Sequence, residues 1–146
     1  MSRHLLDTSC LIAAVCTWHE RHESTRKEIE RRRLAGATPV LAAHSLAEAY
    51  SVLTRLPAPH RLRPEDALDL LEANWSRTQL VALGGADYRR VLRRCRDLGI
   101  AGGAVYDAVI AACARKAGVE TVLTWDTSGF ERFLEDGPAV KRPGGA

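Results

Sequence analysis

Asp107 is the one charge between residues 101 and 114, set among Ala, Val, Ile and Cys. A lone carboxylate in an apolar stretch is costly to bury unless something compensates it. Asp126 stands one residue beyond a short, mostly apolar run over residues 119–124, and Asp7 directly after another over residues 3–6. Glu48 follows a third apolar run by a few residues. Carboxylates crowded in one cleft repel each other and resist ionising, and a divalent cation removes that conflict. Oxygen donors without His or Cys suit Mg²⁺ or Mn²⁺ rather than Zn²⁺. Such ions bind through a few carboxylates plus substrate phosphate, so the chemistry implied is hydrolysis of a phosphate ester.

The elements that must bring these acids together are legible in outline. Residues 101–103 read as a loop, and a helix follows to about residue 117 with Gly118 as its stop. Asp107 then falls in the first helical turn, where backbone N–H groups favour negative charge. A strand over residues 119–124 ends at Asp126. At the N-terminus a strand over residues 3–6 ends at Asp7, and Thr8 and Ser9 offer N-caps for a helix beginning LIAAV. Asp7 has two readings, a plain helix cap or a ligand at the carboxyl edge of a sheet.

Residues 20–34 form a charged helix ended by Gly36, read as a solvated face or a partner-binding surface. A strand at residues 39–42 opens with proline, as a first strand position allows. In SLAEAYSVLTRL, the apolar stripe is Leu46, Ala49, Tyr50 and Leu53. Glu48 lies off that stripe, which makes it an exposed glutamate by periodicity and a site residue by its place beyond a strand end. Pro64, Glu65 and Asp66 start another helix with Leu68, Leu71 and Trp75 inward. Residues 79–83 form a strand and Gly84-Gly85 a turn.

The next helix, to about residue 98, is expected to bury Tyr88, Val91, Leu92, Cys95 and Leu98. Its other face carries Arg89, Arg90, Arg93, Arg94 and Arg96, with Arg89, Arg93 and Arg96 on one side. That is a solvated face or an electrostatic footprint for nucleic acid. A short helix at residues 128–134 and a small strand at 139–141 complete the chain. Strands alternating with helices predict a parallel sheet of four or five short strands, covered on both faces in three layers. Right-handed crossovers then put every strand's carboxyl end on one edge.

The totals fit this picture. The 146 residues suggest a single domain, 1–146. Net charge is +3, with 18 Arg against 3 Lys. The arginine excess is either codon bias or a preference for phosphate contact, since Arg binds phosphate bidentately. Cys10, Cys16, Cys95 and Cys113 lack metal-ligand spacing and sit in apolar or helical stretches, as buried thiols do in a reducing compartment. Asp7 interrupts the N-terminal apolar run too early for a signal peptide, and no stretch nears the ~20 apolar residues of a membrane span. A cytoplasmic protein that does not enter membranes is expected.

LLDTS, the Ala-Glu pair after a Pro-containing strand, GGAVYDAVIAACARKAG and VLTWDTSGF together resemble a PIN-domain ribonuclease, with the toxins of VapBC-type toxin–antitoxin pairs as the nearest likeness. The resemblance spans nearly the whole chain. It implies a PIN-like α/β fold and a metal-dependent endoribonuclease with Asp7, Glu48, Asp107 and Asp126 as its acids. Asp7, Asp107 and Asp126 would hold Mg²⁺ or Mn²⁺, and Glu48 would be a ligand or position the attacking water. Thr124 and Ser9 match hydroxyl positions beside the acids. A cognate antitoxin, an RNA substrate and a homodimer are the implied partners. Two other readings are a phosphatase using an aspartate nucleophile and a non-catalytic RNA-binding or interaction module. The first lacks the usual second acid two residues after Asp7, where Ser9 stands; the second would gain nothing from four carboxylates.

Overall fold

The computed structural model describes residues 2–145. Strand β1 (Arg3–Leu6) leads through Asp7 into α1 (Thr8–Val15), followed by α2 (His22–Leu34). Next come β2 (Thr38–Ala42), α3 (Ala43–Arg55), α4 (Pro64–Trp75), β3 (Gln79–Val81) and α5 (Gly85–Leu98). Helix α6 (Ala104–Ala117), β4 (Thr121–Leu123), α7 (Thr127–Glu131) and β5 (Ala139–Lys141) complete the described chain. The five strands form one parallel sheet in the order β3-β2-β1-β4-β5.

Alternation along the strands divides the core in two. Leu5 is in register with Val40 and Val122, and all three face α5, α6 and the segment around α7. Leu6 is in register with Leu41 and Leu123, which face α1, α3 and α4. Each such side chain contributes roughly 1.5–3 kcal/mol when fully buried. This is the expected α/β fold with helices on both faces of a parallel sheet. Among the described residues, no helix is long and apolar enough to cross a membrane.

The strand order carries the functional consequence. From β1 the chain steps outward to β2 and β3, then returns to lay β4 on the other side of β1. The crossovers beginning at β1 and β4 therefore diverge, opening a crevice at the carboxyl edge between them. Open parallel sheets bind ligands at such a switch point.

Several local expectations need correction. The N-cap of α1 is Asp7, not Thr8 or Ser9. The strands at 79–83 and 119–124 are shorter, Gln79–Val81 and Thr121–Leu123. The last helix is Thr127–Glu131, capped by Asp126; it starts one residue and ends three residues before the expected bounds. Helix α6 ends as expected, with Gly118 at φ 66°. Tyr50 and Leu68 are exposed, while Ser45, Ala49 and Leu53 of α3 and Ala67, Leu71 and Trp75 of α4 face inward. Small residues let these helices approach closely, so alanines occupy places that hydrophobicity alone would give to leucine. Helix α5 buries only Val91 and Cys95; Tyr88, Leu92 and Leu98 are exposed, because it meets the core along one narrow row. All four cysteines are buried and free.

Candidate active site

Asp7 is the most enclosed of the acids, 4% exposed. Its backbone N–H donates to Leu123 O at 3.1 Å, extending the β1–β4 pairing by one bond. Its Oδ1 accepts from the Cys10 N–H at 2.9 Å and from Ser9 Oγ at 2.7 Å. Its Oδ2 accepts from Thr124 Oγ1 at 2.5 Å. Burial pushes this carboxyl above its ordinary pKa, and the bonds from Thr124, Cys10 and Ser9 pull it back. The helix-cap and sheet-edge readings of Asp7 thus describe one residue doing both.

Asp126 sits just past β4. Its N–H donates to Thr124 Oγ1 at 3.0 Å, so the same hydroxyl serves both acids. Asp126 Oδ1 caps α7, accepting from Ser128 Oγ at 3.0 Å and Gly129 N at 3.4 Å. Its Oδ2 turns toward Asp107. A Cβ built on Gly129 would lie 2.9 Å from both Asp126 Oδ2 and Asp107 Oδ2. The two oxygens therefore stand no more than twice that distance apart, across a space that only glycine leaves open.

Asp107 lies in the first turn of α6, as expected. Burial, then the charges of Asp7, Asp126 and Glu48, raise its pKa to about 6, with Arg132 opposing them. Glu48 is half-buried on α3, and its Oε1 accepts from Thr8 Oγ1 at 2.5 Å. Thr8 is also hydrogen-bonded to buried Ser45 at 3.0 Å. Its place near a strand end, not its helical periodicity, is the better guide to Glu48. The fold thus brings Asp7, Glu48 and Asp126 into electrostatic range of Asp107.

Among the described residues, no three His, Cys, Asp or Glu side chains are close enough to close on one ion. The reason is local: both oxygens of Asp7 and one each of Asp126 and Glu48 are engaged by donors, while the charges repel. The donor set still fits Mg²⁺ or Mn²⁺. It is all oxygen, Asp107 is held up by unneutralised neighbours, and Mg²⁺ keeps several waters rather than requiring a protein cage.

The α5 arginines remain apart from this cluster. Lys116, near the end of α6, reaches Asp87 in the first turn of α5 at 3.1 Å, so the two helices run antiparallel. The end of α5 bearing Arg93 and Arg96 is therefore nearest the start of α6, which bears Asp107. Arg89, Arg93 and Arg96 are all exposed, and Arg96 pairs with Asp97 at 3.0 Å.

Sequence reasoning passed over Thr8, Thr25, Trp125's anchoring role and Gly129. Thr8 and Gly129 had a signal, since each lies within three residues of an acid in LLDTS or WDTSG. Thr25 had none: its partner Trp125 is 100 residues away.

Comparison with known proteins identifies the family and the fold. The PIN domain family model matches residues 4–134. Ribonuclease VapC40 of Mycobacterium tuberculosis is 38% identical over 127 residues, 87% of this chain and 89% of that protein. Among solved structures, VapBC2 of Rickettsia felis, bound to a DNA fragment from its promoter, superposes with a TM-score of 0.70 at 17% identity, covering 96% of this chain and 98% of that one. VapC20 of Mycobacterium tuberculosis, described as a sarcin–ricin loop cleaving toxin, gives 0.67 at 16% identity, covering 86% and 92%. At those identities the superpositions speak for the fold, and the family rests on the first two matches. The chain, with its acids at the β1–β4 edge of a parallel sheet, belongs to the PIN-domain family, among the VapC ribonucleases.

Proposed function

We propose that this protein is a metal-dependent endoribonuclease that hydrolyses RNA phosphodiesters, and that it is the toxin of a toxin–antitoxin pair neutralised by its cognate antitoxin. The observation that carries the reading is the convergence of Asp107 and Asp126 across Gly129, beside buried Asp7. The family and the ribonuclease names of its relatives support the reaction class. One continuous sheet and the match over residues 4–134 support a single nuclease domain, 1–146.

In this reading Asp7, Asp107 and Asp126 hold Mg²⁺ or Mn²⁺. Such an ion, when bound, neutralises charge at the phosphoryl group and lowers the pKa of water. Thr124 and Ser9 favour the charged form of Asp7 against its burial and fix its orientation. Glu48, held by Thr8, ligates the ion or accepts a proton from the attacking water. Arg89, Arg93 and Arg96 offer charge to the RNA backbone. Exposed Tyr50, Leu68 and Leu80 give apolar surface for a second chain, in keeping with an antitoxin and a homodimer. The compartment proposed is the cytoplasm, in keeping with four free thiols.

A phosphatase with Asp7 as nucleophile fits less well, because both Asp7 oxygens are already taken by donors. The deciding experiment is sequencing of RNA 5′ ends after a pulse of expression, with Asp7→Asn as control. Discrete new ends in the wild type and none in the control are expected. Identical profiles would refute the proposal.

A further inference from the structure

The acid cluster poses an electrostatic problem for its own substrate. A polyanion approaching four carboxylates is repelled, so cations must flank the site to hold it. Two arginines that the acid site does not use stand at this edge. Arg21, just before α2, places its Cζ 4.6 Å from the ring centroid of Trp125. Arg142, just after β5, places its own at 5.3 Å. Trp125 lies between Thr124 and Asp126 in the chain. Among the described residues, neither guanidinium takes part in an ion pair or hydrogen bond.

The arrangement is built, not incidental. The Trp125 backbone N–H donates to Ser9 Oγ at 3.1 Å, and Ser9 in turn donates to Asp7. The indole Nε1–H donates to Thr25 Oγ1 at 3.0 Å, and Thr25, fully buried, donates to the Arg21 carbonyl at 2.7 Å. Arg142 is fixed from both sides: Thr124 N–H donates to Lys141 O at 3.0 Å, and Gly144 N–H donates to Glu28 Oε1 at 2.9 Å. Glu28 is buried in α2 and is also held by Arg32 at 2.7 Å. One hydrogen-bonded chain thus runs from Arg21 through Thr25, Trp125 and Ser9 to Asp7. Stacking on an indole restricts a guanidinium and leaves its N–H edge free for a bidentate anion.

We propose that Arg21 and Arg142, seated on Trp125, form a docking site for the phosphodiester backbone of single-stranded RNA beside the acid cluster. This rests on the ribonuclease reading and adds the route by which the strand lies across the site. Arg21 and Arg142 act as positioning residues: they set where the strand is gripped relative to the acids.

The test uses the full chain and a short fluorescein-labelled single-stranded RNA. Binding is followed by anisotropy in EDTA across a salt series, and cleavage with Mg²⁺ or Mn²⁺ is followed separately. The double variant Arg21→Gln with Arg142→Gln should weaken binding and flatten the log–log salt slope by about 1.4, at about 0.7 per lost contact on a single strand. In cleavage it should raise KM more than it lowers kcat. Arg33→Gln with Arg77→Gln removes the same charge just ahead of β2 and β3, at the amino edge of the sheet, and should leave the slope in place. Arg21→Lys with Arg142→Lys keeps the charge and should restore most of the slope, which separates lost contact from misfolding. An unchanged slope and KM in the glutamine variant would overturn the proposal. So would intact RNA handling with weakened antitoxin binding, which would assign this surface to a protein partner. Wild type that cleaves no RNA would instead count against the ribonuclease reading, and the EDTA binding series would still judge this one.

Discussion

Thr124 and Asp7, 117 residues apart in sequence, meet through a 2.5 Å hydrogen bond in which the hydroxyl donates to Asp7 Oδ2. The same hydroxyl accepts the N–H of Asp126 at 3.0 Å, so one buried oxygen sets the spacing of two acids. Thr124→Val keeps the shape and removes the donor. It should destabilise the fold by roughly 1–3 kcal/mol, the usual consequence of leaving a buried polar group unsatisfied. Burial would then raise the Asp7 pKa further, so the acid limb of the pH–rate profile should move up. Thr124→Ser should restore both. A pH–rate series and thermal melts on the two variants check this; an unmoved acid limb in Thr124→Val would detach Thr124 from the site.

Asp107 links the site to stability. Its folded pKa of about 6 exceeds the ordinary carboxylate value of 3.8. The metal-free folded state therefore binds the proton more tightly than the unfolded chain. The resulting stabilisation is complete below about pH 4 and is lost as the pH rises through about 6. At neutral pH in EDTA, Asp107→Asn should melt above wild type by a few degrees, roughly 1–2 kcal/mol after allowing for solvent screening. The gap should close near pH 4. Added Mg²⁺ should raise the wild-type Tm more than the variant's. A destabilised variant indifferent to metal would make Asp107 only a helix-start residue.

RNA hydrolysis should need Mg²⁺ or Mn²⁺ and stop in EDTA. Asp7→Asn, Asp107→Asn and Asp126→Asn should each lose on the order of 100-fold or more in rate, the scale of a lost electrostatic stabiliser. Circular dichroism confirms that the variants are folded. Full activity in EDTA would sink the mechanism.

Gly129→Ala places a methyl group 2.9 Å from two carboxylate oxygens. Asp107 and Asp126 must swing apart to admit it. The variant should stay folded, because the strain falls on side chains at the edge rather than on the core. It should lose most metal-induced thermal stabilisation and cleavage together. Calorimetric titration with Mn²⁺ reads the first directly; wild-type affinity would show that the space between these acids is not used.

On the arginine face of α5, Arg89→Glu with Arg93→Glu should weaken RNA binding and flatten its salt dependence. Arg96→Glu should do less, since Asp97 already engages it. An unchanged slope in the double variant would leave these residues as a solvated face.

The fold and the acids were legible because their signals are local. Asp7 and Asp126 close short apolar runs, Asp107 opens a helix with a glycine stop, and such boundaries are written in neighbouring residues. Glu48 was ambiguous because periodicity reports which face is apolar, not what the opposite face meets. Tyr50 and Leu68 were misplaced because close helix packing favoured Ala49 and Ala67 at the interface. The Thr25–Trp125 and Glu28–Gly144 bonds each join residues a hundred or more positions apart, and no local pattern encodes such pairings.

The long reach between Asp7 and Thr124 has a consequence during synthesis. Strand β1, at the centre of the sheet, is made more than a hundred residues before β4 beside it. A growing chain carries Asp7 and Glu48 long before it carries Asp107, Thr124 or Asp126. The proposed nuclease centre therefore cannot exist on a nascent polypeptide until β4 and Asp126 have left the ribosome. Premature termination before β4 yields a fragment without that centre, so the proposed chemistry waits on the synthesis of β4.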